Sequence, residues 1–404
     1  MTASTQPAGV GSSTLREPFA AGAEAARGAM TMLGDARPGL VLAFGTTGHP
    51  QQALLDGIRS VTGDAPLSGC SGEGIITRAG GSDERSHAVT VMALAHPTMT
   101  FRTAVVENAS ADPRAAAVAL AAKLPGAERD GQLLLLFADG VSFDCGAFLD
   151  ELGRHLTIPG RVVGGTAGTE LGSFSNWTTW QYHQGRAHKD AVSAILVGGA
   201  VEADVAVSHG CEPMGVEFTV TRSDGALVAE LDGRPAFEVL KEYLDGDATT
   251  LAGNDDLHLV LGLPVEAGIQ DADGGLLIRA PLRMVPETGA LFFNGGDLTE
   301  GRRVELVRRD VQQMRAGAAA TGQAMAARHP GQAPILVLQF DCTGRGRALC
   351  GDQATAVTVA PLLEAFPATV PWMGFHTFGE IGPLGAGTAY HACTVVLCAL
   401  YPKA

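Results

Sequence analysis

Ile335-Leu336-Val337-Leu338-Gln339-Phe340 is a short apolar run bounded by polar and glycine residues, the pattern of a buried strand. It leads into Asp341-Cys342-Thr343-Gly344-Arg345-Gly346, which reads as a flexible loop carrying one thiol and one fixed positive charge. A helix is expected around Gln353 to Phe366. It is followed by the glycine-bearing block Pro371-Trp372-Met373-Gly374-Phe375-His376-Thr377-Phe378-Gly379-Glu380-Ile381 and by a second apolar strand from His391 to Cys398. The order is strand, polar loop, helix, glycine-rich strand, apolar strand.

That order occurs twice more. Leu40-Val41-Leu42-Ala43-Phe44 leads through Gly45-Thr46-Thr47-Gly48 to a helix near Pro50 to Val61, then to Gly69-Cys70-Ser71-Gly72-Glu73-Gly74 and Ala88 to Leu94. Leu133-Leu134-Leu135-Leu136-Phe137 leads through Ala138-Asp139-Gly140 to a helix near Asp144 to Leu156, then to Val162 to Gly168 and Ala191 to Val197. The spacings drift, so this is divergent repetition and not a solenoid period. The fold expected is α/β, with mixed sheets built from diverged strand-loop-helix-strand repeats in two closely packed parts.

The 404 residues are enough for a large core and for two or three domains. A formal charge of -15 without clustered Lys or Arg argues against a nucleic-acid partner. The seven cysteines are scattered and form no C-x-x-C pair, which points to neither a disulfide framework nor a zinc knuckle and fits a reducing cytoplasm. No apolar run reaches the roughly 18 residues of a membrane span. The start of the chain does not read as a signal peptide, so a soluble cytoplasmic protein is expected.

Between the repeats, Met1 to Leu15 reads as a mobile terminus, rich in Ser, Thr and Gly, and Glu17 to Leu33 as a helix closed by Gly34. Ala111 to Leu124 reads as a helix capped by Asp112 with Pro113 in its first turn. Alternation from Gly199 to Val220 suggests an antiparallel pair, and Pro235 opens a helix that presents Phe237, Leu240 and Leu244. Short strands follow from Leu257 to Phe293, then a helix from Asp310 to Ala327. The division expected is a leading segment 1–37, a first domain 38–230 and a second 231–404.

A series of short blocks resembles the FIST family, paired N- and C-terminal sensory domains of bacterial signal transduction. The blocks are Gly69-Cys70-Ser71, Phe137-Ala138-Asp139-Gly140, Val163 to Gly168, His209 to Gly215, Leu231 to Ala236, Cys342-Thr343-Gly344-Arg345, Gly379-Glu380-Ile381 and His391 to Thr394. Each is weak alone; their order is specific. The resemblance implies a sensor of amino acids or similar metabolites acting through a separate output protein, with haem binding and nitric-oxide sensing as the alternative within the family. Two positions depart from the family pattern: the acid of the first block is displaced to Glu73, and Ala392 stands where Asn is usual.

Ligands of open α/β sheets sit beyond the carboxyl ends of strands, which directs attention to the loops after Phe44, Phe137 and Phe340. Thr46 and Thr47, with free backbone N–H groups ahead of a helix, form either an anion cradle or an ordinary cap. Arg345 offers a rigid fork of donors for a carboxylate or phosphate, or is a solvated surface cation. Glu380 answers a ligand amine or Arg345 itself. Cys70, Ser71, Asp139, Cys342, His376 and Thr377 complete the expected binding set. An enzyme reading makes Cys342 a nucleophile with His376 or His391 as its base, against the simpler reading of buried thiols. The eleven His show no closed zinc spacing, although a single His or Cys ligating haem leaves no signature. Trp177, Trp180 and Tyr182 are either a stacking wall or a sheet cover.

Overall fold

A computed structural model of the chain describes residues 6–84, 87–158, 161–171, 177–244, 259–265 and 275–403. The first repeat comprises β1 (Ala8–Ser13), α1 (Pro18–Leu33), β2 (Leu40–Thr46), α2 (Gln51–Thr62), β3 (Leu67–Gly72), the hairpin β4 (Ile75–Thr77) and β5 (Gly81–Asp83), and β6 (Val89–Leu94). The second comprises β7 (Met99–Glu107), α3 (Pro113–Ala122), α4 (Ala127–Asp130), β8 (Gly131–Ala138), α5 (Cys145–His155), β9 (Arg161–Thr166), the hairpin β10 (Gln181–His183) and β11 (Arg186–His188), and β12 (Ala191–Gly199).

The third repeat begins with β13 (Val201–Ser208) and is interrupted by an insertion: β14 (Cys211–Asp224), β15 (Leu227–Leu231), β16 (Arg234–Pro235), α6 (Ala236–Lys241), β17 (Leu259–Pro264), β18 (Leu276–Arg279), β19 (Pro281–Val285), β20 (Ala290–Phe293) and β21 (Arg303–Arg309). It resumes with α7 (Val311–Arg328), β22 (Leu336–Cys342), α8 (Arg347–Cys350), α9 (Ala360–Leu363), β23 (Trp372–Thr377), the hairpin β24 (Gly379–Leu384) and β25 (Gly387–His391), and β26 (Val395–Pro402).

Each repeat builds the same sheet. The central strand that opens its strand-loop-helix unit pairs in parallel with the next and antiparallel with the last, giving the orders β1-β6-β2-β3, β7-β12-β8-β9 and β13-β26-β22-β23. The sheets are completed by exchange. The hairpin β4–β5 extends the third repeat's sheet, β24–β25 the second's and β10–β11 the first's, so the loan closes in a ring. The insertion forms a separate antiparallel sheet.

One apolar cluster joins the three repeats: Leu42 and Phe44, Leu135 and Phe137, and Leu338 and Phe340 are all buried in it. The rings of Phe44 and Phe137 meet edge to face at 5.4 Å, and Phe375 lies 4.5 Å from Phe44. Opposite the residue that precedes each of these phenylalanines, the neighbouring parallel strand places a glycine. Gly69 is opposite Ala43, Gly164 opposite Leu136, and Gly374 opposite Gln339. A Cβ at any of them would collide with the facing backbone carbonyl oxygen, so glycine is what lets the two central strands approach.

The helices begin where the sequence says. Asp112, Asp144 and Asp310 accept hydrogen bonds from the first-turn amides of α3, α5 and α7, and Glu17 does the same for α1. Three expectations fail. Ala8–Ser13, expected to be mobile, is a strand pairing with β6, with Gly9 and Gly11 packed against the backbone of α1. β13 pairs with β26 and not with β14, because the insertion carries β14 off to pair with β21 and β15. The single helix expected over Gln353 to Phe366 is a broken run of a 3-10 turn, a π turn at Thr355–Val359 and α9. The expected strand start at Leu257 lies outside the described residues.

Candidate functional site

A cavity of about 730 Å³ opens where the loop after β8, the loop after β22 and the insertion meet. Its rim carries the exposed side chains of Val141, Leu171 and Leu282, and its walls include Phe143, Trp177, Phe292, Phe293 and Phe378. Trp177 and Phe378 pack ring to ring at 4.7 Å on this wall, whereas Trp180 and Tyr182, grouped with Trp177 in the sequence, pack in the apolar cluster between β2 and the helices α1 and α2. This volume, lined by aromatic groups and few polar ones, is of the kind that holds a metabolite.

Arg309 is the cation of this lining, only 2 % exposed although it ends a strand of the insertion. It donates a hydrogen bond to the carbonyl of Gly344. Asp144 lies at the mouth, where its Oδ1 also caps α5. Cys342, Thr343, Gly344 and Thr377 come from the third repeat, and Tyr390 and Cys393 from its exchanged hairpin and the turn that follows.

Of the residues expected to bind ligand, Cys342 and Thr377 reach this cavity. Arg345 and Glu380 stand immediately behind its wall. Arg345 is neither solvated nor in a flexible loop: it is wholly buried, donating from Nε to Asp341 Oδ1 at 2.8 Å and from Nη1 to the carbonyl of His209 at 2.7 Å. Thus it pins the turn that presents Cys342, Thr343 and Gly344. Glu380 accepts from the Thr377 hydroxyl and from the Thr394 amide at 3.1 Å, which fixes Thr377 directly and Cys393 through its neighbour. Burial pushes the Glu380 carboxyl well above the ordinary range, and those two hydrogen bonds pull against it.

The other candidates lie elsewhere. Thr46 accepts from the Ala88 amide, and Thr47 meets the Thr169 hydroxyl at 2.8 Å. Ser71 donates to the Gly168 carbonyl and accepts from the Trp180 amide, joining the first two repeats. Cys70 lies in the shared apolar cluster, where burial raises its thiol well above the ordinary value. Asp139 accepts from the amides of Val141 and Ser142 and from the Thr179 hydroxyl, shaping the loop at the cavity mouth. His376 faces Glu84 at 3.5 Å. His391 is depressed to about 4, by burial first and then by Arg279, while the Cys342 thiol is raised by the neighbouring Cys393 and by burial. The backbone sets that neighbour in place, the Cys342 amide donating to the Thr394 carbonyl at 3.0 Å.

Arg309, Cys393 and the insertion's aromatic pair were not assembled from sequence. Arg309 sits in an ordinary charged strand end, and only the fold turns it inward. Among the described residues no group of three or more His, Cys, Asp or Glu side chains converges as a metal site, and no helix is long and apolar enough to cross a membrane. A haem would find no histidine among the described residues of this lining; Cys342 and Cys393 are soft donors there.

The FIST N domain matches residues 39–234 and the FIST C domain residues 236–383. The chain belongs to the FIST family. FIST domains are sensory domains of signal transduction. An uncharacterised protein of Mycobacterium tuberculosis is 32% identical over 397 residues, covering 96% of this chain and 97% of its own. Another, in Mycobacterium bovis, is 28% identical over 392 residues, covering 96% of each. A chorismatase crystal structure overlaps 99% of this FIST chain and 100% of its own at a TM-score of 0.36 and 9% identity, too slight an overlap to carry a reading of the chemistry.

Proposed function

We propose that this FIST protein takes a small anionic or zwitterionic metabolite, such as an amino acid, into the cavity beside Arg309 and reports its occupancy to a separate signalling protein. The observation that carries this reading is a buried guanidinium facing an aromatic-walled cavity. Such a fork of donors in a low-dielectric site recognises a carboxylate strongly, and Asp144 at the same mouth supplies an acceptor for an amine. The walls come from three separate parts of the chain, so a ligand that bridges them favours one arrangement of the insertion against the repeats, which is what a population shift requires.

The test is calorimetric titration and thermal shift with a panel of amino acids and small carboxylates, on the wild type, Arg309→Ala and Arg309→Lys. A binder should lose about 1.5–3 kcal/mol of affinity on truncation to Ala, with part restored by Lys. Equal affinity in all three proteins, or no carboxylate that binds, would refute the assignment. The visible spectrum of the purified protein decides the haem alternative, since a Soret band would put that reading first.

A further inference from the structure

We propose that Cys393 and Cys342 form a reactive dithiol that reduces a hydroperoxide entering the cavity and closes to a disulfide. This is independent of which metabolite the cavity holds. Both thiols line the cavity, and the Cys342 amide donates to the Thr394 carbonyl at 3.0 Å, which sets Cys393 beside it although the two lie 51 positions apart in the third repeat (393 minus 342). Gly344 lies between the Cys342 sulfur and the Arg309 guanidinium: a Cβ placed there would be 3.6 Å from the first and 3.4 Å from the nearest nitrogen of the second. Cys393 has a positive φ of 53°, an unusual conformation for a non-glycine residue that sets its side chain on the cavity wall.

The two sulfurs are not equivalent. The neighbouring Cys342 draws the Cys393 thiol below its ordinary value, and Arg309 acts the same way against the opposing effect of burial. Cys342 is raised by the same neighbour and by burial. Cys393 is therefore the nucleophile and Cys342 the resolving thiol. The remaining cysteines differ. Cys70 sits in an apolar cluster and Cys398 is fully buried, both raised by burial; Cys145 also reaches the cavity lining, from the start of α5, but burial and then the Asp144 charge raise its thiol. Cys350 and Cys211 turn their thiols to backbone carbonyls.

In the first step the Cys393 thiolate attacks the terminal oxygen of the hydroperoxide. The O–O bond breaks, the departing alkoxide or hydroxide takes a proton, and Cys393 becomes a sulfenic acid. Cys342 sulfur then attacks the sulfenic sulfur, its proton leaves with the hydroxyl as water, and the S–S bond forms. Two thiols and one hydroperoxide give one disulfide, one alcohol or water from the peroxide, and one water. A dithiol reductant reverses the change.

The experiment exposes the full-length protein to hydrogen peroxide, blocks remaining thiols with iodoacetamide and maps the peptides, using fragmentation to separate Cys393 from Cys350 and Cys398. The expected result is a loss of two hydrogen masses and a Cys342–Cys393 link reversed by dithiothreitol. In Cys342→Ser, dimedone should label Cys393; in Cys393→Ser, Cys342 should stay unlabelled. A wild-type protein that retains all its thiols after peroxide, a link joining other cysteines, or dimedone on Cys342 in Cys393→Ser would overturn the proposal. Because the wild-type measurement decides alone, a variant that fails to fold does not leave the question open.

Discussion

The first and third repeats start from one plan and end differently. In the first, β2 passes through Thr46 and Thr47 into the regular helix α2, and the loop closes on itself through hydroxyls bonded to Ala88 and Thr169. In the third, β22 passes into a tight turn held by a buried ion pair, the following helix is broken, and the space beside it is the cavity. What separates them is the insertion between β13 and α7, whose residues wall the end of the third repeat. The strands fix the scaffold; the added sheet joins two of three similar loop ends, those after β8 and β22, into one site.

If the three repeats share one strand geometry, alanine should be equally intolerable at their three glycines. Gly69→Ala, Gly164→Ala and Gly374→Ala each force a Cβ into a carbonyl oxygen, and each is expected to cost upwards of ~3 kcal/mol in urea unfolding. One tolerated substitution would break the equivalence.

The loop ends should diverge where the strands agree. Arg345 and His49 each lie five residues beyond the phenylalanine of their repeat. Arg345→Ala strands Asp341 as a buried charge, for an expected loss of about 3–5 kcal/mol. An Arg345→Ala protein of unchanged melting temperature would show that the pair is not what holds the turn.

His49 gives the smallest and most conditional effect. Its pKa falls from 6.5 to about 4, by burial first and then by His87, and both ring nitrogens lack a hydrogen-bond partner among the described residues. The neutral ring is favoured in the fold, so its contribution is present above pH 6.5 and is lost as the pH falls toward 4, because the unfolded chain binds the proton first. His49→Phe should remove about 1–2 kcal/mol of that acid-linked loss. A pH–stability curve that His49→Phe leaves unchanged would assign the acid sensitivity to other groups, His391 among them.

The repeated strands were legible because Leu-rich runs ending in Phe, each leading into a polar or glycine-bearing loop, fit a buried strand and little else. That Cys342 and Thr377 would line a cavity was legible from their place at the carboxyl ends of strands, where clefts of open α/β sheets form. The short strand Ala8–Ser13 was not, since Gly9 and Gly11, which pack closely on α1, give the same composition as a loop. Arg345, expected in a flexible loop facing a ligand or solvent, is buried because Asp341 and the His209 carbonyl converge on it, which a sequence does not show. Arg309 and Cys393 reach the cavity only through tertiary folding, and no local pattern marks a side chain that another sheet turns inward.

The ring of exchanged hairpins carries a consequence for how the chain is made. As it leaves the ribosome, β4 and β5 emerge early, yet their sheet is nucleated by β23, with Ile75 paired to Phe375 near the other end of the sequence. The first repeat therefore spends most of synthesis with an unpaired hairpin, as an exposed edge open to the wrong neighbour. The first sheet is complete once β10–β11 are made, but the second and third sheets close only when the third repeat's strands arrive. A nascent FIST chain is thus expected to need shelter from a holding chaperone until its last residues are free, whereas a chain built from self-contained repeats would not.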